Sequence, residues 1–517
     1  MFDLLDVAER APDAVAGVAG WVRVENAACA RRLAAMAAVL QARLSEVDAA
    51  AREQWCVDNW AEVAGQLGAA LGVSSGVASG QLLVAHALVR HFPQIRELFG
   101  AGLVSYRVVA AIVARTRLVT DAPVWARLDA ELAAQIGGWG GLSRAKLEQA
   151  IDGWVDRLDP YAVRRSALRA RGRAVTVEPG TDGSGVRSIW GELLAVDAAV
   201  LDERLEAMAA AVCAGDGRTR DQRRADALGA LAAGAAGLVC GCGTADCPAA
   251  AIAAGSGASG AAVVIHVIAQ ADSLESAQVG CLQGQSPPDE ARLMGARLAG
   301  MTAAQALRRA GPAGPAGSSP GVVVGAGVLP GAMVAVAAGR AVIRRIIHPG
   351  AAGPEAGYVP SRALADFVRC RDVTCRFPGC DVPAFGCDVD HTIAYPRGLT
   401  QASNLTCLCR KHHLLKTFWD GPGGWRDRQL PDGTVIWTAP GGHTYTTYPG
   451  SRVLFPALCT PTAPVRLAPD TTGGGSGKTL MMPRRTRTRT QDRAHRIATE
   501  RNQNLNRIAE PSEPPPE

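Results

Sequence analysis

Little in this sequence points to export or to a membrane. Its start, MFDLLDVAER, is acidic and has no basic segment leading into an apolar one, so no secretory leader is expected and a reducing cytoplasm is the expected compartment. The fourteen cysteines, which would suggest disulfides in an exported protein, are read accordingly as thiols and metal ligands. Residues 321–339 carry no charge and approach the length of a membrane span, but five glycines and Pro330 interrupt them. Branched Val322, Val323 and Val324 and the alanine-rich run after Pro330 read instead as strand, turn and helix, leading into the VIRRII segment at 342–347. No membrane partner is expected. A nucleotide site is missing as well: GGGSGKTL at 473–480 imitates a phosphate loop, but Thr472 stands where the first glycine is required and no strand precedes it.

Excess positive charge is absent from most of the chain. Residues 478–507 hold nine Lys/Arg against Asp492 and Glu500, a net +7 beside +6 for the whole protein, which leaves the remainder at −1. Such a tail, at 459–517, reads as a disordered basic arm, or a helix folding on its partner, with Arg484, Arg485, Arg487 and Arg489 attracted to nucleic-acid phosphates. A solubilising tail would have the same composition.

What is present in quantity is apolar residue content, 48% of 517 residues, enough core for roughly three domains. Residues 1–170 read as a helical domain, with apolar residues at three- and four-residue spacing over 25–50, 60–71, 76–89, 106–115 and 143–158. Gly72, Val73 and Ser74 lie at the turn of a faint helix-turn-helix pattern. The helix after that turn offers only Gln81 and serines to base edges, so a packed helical pair is the better reading. Residues 171–345 read as mixed α/β, with strands at 173–179 and 261–269, helices at 195–212 and 218–236, and a Pro/Gly/Ser-rich loop at 308–321. Within it, CGCGTADC places Cys240, Cys242 and Cys247 close together. Apart from a remote Cys or His266 no fourth ligand offers itself, so a flexible loop with reduced thiols is expected there.

Chemistry concentrates in residues 360–425. Cys375 and Cys380 flank a four-residue loop containing Pro378 and Gly379, a spacing that turns two thiolates toward one ion. Cys409 and His412, three apart at the start of a helix, share a face and would complete a Cys3His zinc set. Four protein ligands leave no open position, so this zinc would be structural; Cys370, Cys387 or Cys407 could replace one of the chosen ligands. His413 points about 100° away from His412 on the same helix and so belongs to a second site. Its expected partners are Asp390 and His391; the Asp390 carboxylate suits a hard divalent cation, Mg²⁺ or Mn²⁺, and His391 stays free as a base.

Asp390-His391, Asn404 and Cys409-x-x-His412-His413 together resemble the signature of the HNH endonucleases, whose fold is two strands and a helix around a metal. The resemblance implies a ββα-metal module with a structural zinc. Within it His391 would be the general base that deprotonates the attacking water, Asp390 and His413 would hold one catalytic metal against the scissile phosphate, and Asn404 would orient the catalytic loop or the base by hydrogen bonding. Lys416, one turn beyond His413, would meet a phosphate oxygen or stand as a solvated helix lysine. Residues from about 24 to 455 resemble the uncharacterised N-terminal domain fused to HNH modules in actinobacteria, including mycobacterial repeat-encoded copies; that domain implies no activity.

Residues 426–458 read as a short β extension with Pro431-Asp432-Gly433 at a turn, where alternating Trp437, Tyr445 and Tyr448 would pack on the module. The expected protein is therefore multidomain, predominantly α with mixed α/β, and an endonuclease cutting duplex DNA. A catalytically inactive DNA-binding or mobile-element accessory protein that keeps the metal fold, or an RNA-directed nuclease, would carry the same motif.

Overall fold

Capping residues set most helix starts in the first part of the chain. In a computed structural model, which describes residues 2–10, 12–163, 174–178, 186–193, 195–244, 247, 264–275, 319–339, 341–420, 423–469 and 481–509, the helices are α1 (Phe2–Glu9), α2 (Ala14–Leu44), α3 (Asn59–Leu71), α4 (Ser75–His91), α5 (Pro93–Gly100), α6 (Tyr106–Arg115), α7 (Ala122–Gln135) and α8 (Arg144–Leu158). The side chains of Asp13, Asp58, Ser74 and Ser143 each accept a first-turn N–H of the helix they open. Asp13 starts α2 well before the expected residue 25, because the small residues that follow it carry no apolar period to read. Gly72, at φ +67°, ends α3 in the left-handed region. Leu40, Leu82, Phe92, Ile112, Leu128 and Ile151 meet in the helical core. No single helix among the described residues is long and apolar enough to cross a membrane; α3 and α4 pass that test only as a pair, bent by 108°.

The middle region is mixed α/β. Strands β1 (Ala174–Val177) and β2 (Ile189–Glu192) pair antiparallel, and α9 (Ala195–Ala210) packs on α10 (Arg220–Ala232). Strands β3 (Val267–Ile268), β4 (Gly321–Val323) and β5 (Gly327–Leu329) form an antiparallel sheet in that order, followed by α11 (Gly331–Ala338). The uncharged run therefore holds one strand more than expected, because Gly325 at φ +81° and Gly327 at φ +110° turn the chain back. Residues 308–318 of the expected loop, 261–263 of the expected strand and the glycine-rich 473–480 lie outside the described residues.

The C-terminal part begins with α12 (Arg362–Asp372), continues through the antiparallel pair β6 (Asp388–His391) and β7 (Leu405–Leu408) into α13 (Arg410–Phe418), and ends in the meander β8 (Arg426–Gln429), β9 (Val435–Thr438) and β10 (Thr444–Thr447). Its core is continuous with the helical domain: Val57, Ala61 and Ala69 pack in one cluster with Phe377, Leu415 and Trp419. Trp419 also donates its ring N–H to the Val57 carbonyl at 2.9 Å. Buried Arg371 donates to the Ala402 and Leu405 carbonyls at 2.9 and 2.8 Å and to Asp372, whose carboxylate accepts the Cys407 N–H. The meander packs through buried Trp437 and partly buried Tyr445, whereas Tyr448 is exposed beneath the Arg452 guanidinium.

The tail departs from expectation. Residues 489–509 form a helix, α14 (Arg489–Ala509), docked on the first domain. Arg489 pairs with both oxygens of Asp58 at 2.9 and 3.0 Å, Arg485 reaches the same carboxylate at 3.3 Å, and Arg501 meets Asp159 at 2.6 Å. Asp58 and Asp159 are buried, so these arginines answer carboxylates that water does not reach. A composition that reads as a disordered arm is, in the described part, a strap.

Candidate functional site

Four soft ligands converge where α13 begins. The loop from Cys375 to Cys380 turns at Gly379, φ +73°. The ligand atoms of Cys375, Cys380, Cys409 and His412 all lie within 4.8 Å of one another, which is the expected Cys3His set. His412 Nδ1 stands 3.3 Å from the Cys409 sulfur and 3.5 Å from that of Cys375, while its Nε2 meets Ser75 Oγ at 3.1 Å. Phe377 stacks on the imidazole at a ring separation of 4.0 Å. Ser75, at the start of α4, thus fixes from another domain which nitrogen faces the sulfurs. A Cβ on Gly379 would stand 2.3 Å from the Val73 carbonyl oxygen, so the cysteine loop packs directly on the α3–α4 turn. Hydrogen bonding from the Cys375 and Cys380 thiols lowers the Cys409 pKa. The alternative ligands are otherwise engaged: Cys387 points at the Pro383 carbonyl, Cys407 is fully buried against the Asp372 side, and burial pushes the Cys370 thiol up to about 12. Four closed, mostly buried protein ligands suit a structural metal.

On the next residue of α13 the environment changes from sulfur to oxygen. Alternation along β6 puts Asp388 and Asp390 on one face, and His413 lies between them: Nδ1 is 2.8 Å from Asp388 Oδ2 and Nε2 is 3.3 Å from Asp390 Oδ1. Asp390 holds the His413 pKa up, with Asp388 adding to it against the effect of burial. Burial would raise Asp390 in turn, but His413 and Lys416 hold it below its usual value. An octahedral Mg²⁺ with bonds of 2.0–2.1 Å sets neighbouring donors about 3 Å apart, so Asp390 Oδ1 and neutral His413 Nε2 fit two adjacent positions on one such ion. Asp388 then keeps the proton on Nδ1 and aims Nε2. Asp388 was not foreseen, although a carboxylate two residues before Asp390 on a strand was a readable signal.

His391 occupies a different pocket. Its Nε2 lies 2.9 Å from Thr400 Oγ1, and that hydroxyl lies 2.6 Å from the Gly357 carbonyl oxygen. The single hydroxyl proton must go to the carbonyl, so Nε2–H donates to Thr400 and Nδ1 is left as a lone-pair acceptor. Tyr358 stacks on the ring at 5.3 Å, and burial lowers the imidazole pKa against the pull of Asp390. This is a neutral imidazole suited to accept a proton, but the structure sets it against Thr400 and Tyr358 while His413 lies with the carboxylates. Asn404 is fully buried; it accepts the Ile393 N–H at 2.8 Å and donates to the Ile393 and Leu399 carbonyls at 3.0 and 3.1 Å. It ties down the loop that follows His391.

Lys416 answers to neither expectation. Its ammonium is buried and bonded to Asp390 at 2.8 Å, the His391 carbonyl at 2.8 Å and Asp427 at 3.0 Å. Burial opposes its charge, yet Asp427 and Asp390 outweigh it and raise its pKa. Lys416 is therefore a strut under Asp390, unavailable to a phosphate. Of the four tail arginines, Arg485 and Arg489 are committed to Asp58, while Arg484 and Arg487 are exposed. A further cluster was missed: Cys213 joins Cys240, Cys242 and Cys247, with all four sulfurs within 4.8 Å.

The profile described as "Domain of unknown function (DUF222)" matches residues 21–372, stopping where α12 ends. The uncharacterized protein Rv2100 of Mycobacterium tuberculosis (strain H37Rv) is 48% identical over 509 residues, covering 97% of this chain and 89% of its own length. The uncharacterized protein Rv3776 of the same strain is 47% identical over 504 residues, 97% of this chain and 91% of its own. No solved structure matches.

Proposed function

The chain belongs to the family of the domain of unknown function DUF222, and we propose that it is a metal-dependent endonuclease of the HNH type acting on duplex DNA. The observation that carries this reading is the oxygen-rich face of α13: His413 between Asp388 and Asp390, on a strand pair that also bears His391 and the Asn404-locked loop. A closed sulfur set beside it supports the fold without occupying the open face. Asp390 and His413 would hold one Mg²⁺ or Mn²⁺, which when bound stabilises charge on the phosphoryl group and the leaving oxygen. His391 accepts the proton of the attacking water at Nδ1, the nitrogen left free by Thr400. Asn404 keeps the following loop in place, and Lys416 holds the second oxygen of Asp390 so that the first remains available. Exposed Arg410, Arg484 and Arg487 offer positive charge to phosphates.

The test is cleavage of supercoiled plasmid, duplex oligonucleotides and RNA by the full chain with Mg²⁺, Mn²⁺ or EDTA, beside His391→Ala. Cutting that needs the metal and falls roughly 10²–10⁴-fold in His391→Ala supports the proposal. Equal rates in both proteins would assign the activity to another base, and DNA binding without cutting under any metal would make the chain a binding protein. Preferential cutting of RNA would change the substrate class.

A further inference from the structure

The α9–α10 hairpin has little apolar core of its own. Its cluster consists of Met208, Val212, Ala227 and Leu238, edged by half-buried side chains such as Leu205 and Leu231. Units this small ordinarily need a disulfide, a metal or a partner surface to stay folded. Four cysteines meet at the α9–α10 connection: Cys213 within it, just past α9, with Cys240 and Cys242 on the segment that returns after α10, and Cys247 after a further turn at Gly243, φ +70°. Their sulfurs lie within 4.8 Å of one another, and those of Cys213 and Cys240 are 3.5 Å apart. A tetrahedral zinc with bonds of about 2.3 Å holds its sulfurs about 3.8 Å apart. The sulfurs thus converge as a set of four about one point, with none within bonding distance of another.

The surrounding polar groups are arranged to hold that convergence. Asp216 is buried, accepts the Gly241 N–H at 2.7 Å and pairs with Arg218 at 2.7 Å. Arg218 in turn donates to the Val239 carbonyl at 2.7 Å, and the Asp216 N–H returns to the Cys213 carbonyl at 3.1 Å. The Cys213 loop and the Cys240–Cys242 loop are therefore fastened to each other through Asp216 and Arg218. With its oxygens taken by Arg218 and Gly241, Asp216 leaves the ligand set to the four thiols.

We propose that Cys213, Cys240, Cys242 and Cys247 hold a second structural zinc ion, which closes the α9–α10 hairpin of the DUF222 region. Four thiolates leave the ion no open position, so its role is to hold the fold and no substrate or water reaches it. The site does not depend on nuclease activity. Its all-sulfur ligand set separates it from the Cys3His site at α13.

The full chain, purified with zinc and dialysed, is expected to retain about two zinc ions, one for each closed ligand set. The double variant Cys213→Ser/Cys240→Ser should lose one of them and keep the other. Because that variant risks local unfolding, Cys213→His provides a second arm: imidazole can replace a thiolate, so it should keep both ions, and cobalt substitution should show weakened thiolate-to-metal absorption relative to wild type. Full zinc content in the double serine variant, or one zinc in folded wild type with the Cys213 group still titrating as free thiols, overturns the proposal. So does a disulfide among these cysteines in a non-reducing mass measurement, or bound iron in place of the second zinc.

Discussion

His412 and His413 are neighbours on one helix and belong to different chemistries. His412 is 2% exposed, pressed against Phe377 and facing sulfur, with its far nitrogen held by Ser75. His413 keeps 22% of its side chain in solvent and faces two carboxylates. Residue type is the same, so the difference lies in what the 100° step along the helix meets. One direction is a closed, soft, buried set that stabilises a fold. The other is a partly exposed, hard face lined by carboxylate oxygens. Position in a helix thus decides between a sulfur and a carboxylate environment more than identity does.

Breaking the buried side should have the largest effect. Cys375→Ala removes a ligand from the closed set, and structural zinc sites contribute on the order of 10 kcal/mol to folding. We expect lost zinc and loss of near-ultraviolet dichroism from Trp419, Trp425 and Trp437, which share the cluster. Native dichroism with one zinc fewer would mean the apolar core alone holds the module. On the open side, His413→Ala should leave zinc content and dichroism intact while cleavage falls by about 10²-fold or more and recovers in part at raised Mg²⁺ or Mn²⁺. If it loses zinc instead, the two sites are not separate.

Ser75→Ala sharpens the comparison, since Ser75 supports the ligand His412 without being a ligand itself. Loss of such a supporting hydrogen bond costs about 10–100-fold in metal affinity, readable by competition with a chromophoric chelator, and the divalent-metal dependence of the open face should not move. The smallest effect should be the proton's. The raised His413 pKa means that, without divalent metal, its stabilising contribution is complete below about pH 6.5 and is lost as pH rises through the folded value. Divalent metal needs the neutral ring, so metal affinity should rise over that same window, while His391, with its pKa lowered, is already neutral there. A pH profile of Mg²⁺ or Mn²⁺ affinity that is flat across it would separate His413 from metal binding.

The Cys3His set was legible because its ligands come in two local pairs, a tight loop and a helix step, each readable without the fold. Asn404 was legible through its place in a resembled signature. Lys416 was misread because its partner Asp427 lies on a later strand, and its ammonium looks the same in sequence whether solvated or buried. The tail was misread for the same reason on a larger scale: Arg489 finds Asp58 431 residues away, and a charge run carries no sign of such partners. Cys213 is 27 residues from Cys240, a gap that only the α9–α10 hairpin closes. Local geometry survives in sequence; long-range pairing of charges and thiols does not.

The contact of Ser75 with His412 also bears on biosynthesis. A ribosome adds 337 residues between the two, which at 5–20 residues per second takes on the order of half a minute. Throughout that interval the apolar surface of α3 and α4 stands without the cysteine loop that covers it. The landing site is synthesised before its occupant, so the four ligands come together only late in synthesis. A C-terminal module moved alone into another protein would leave Gly379 without its Val73 seat.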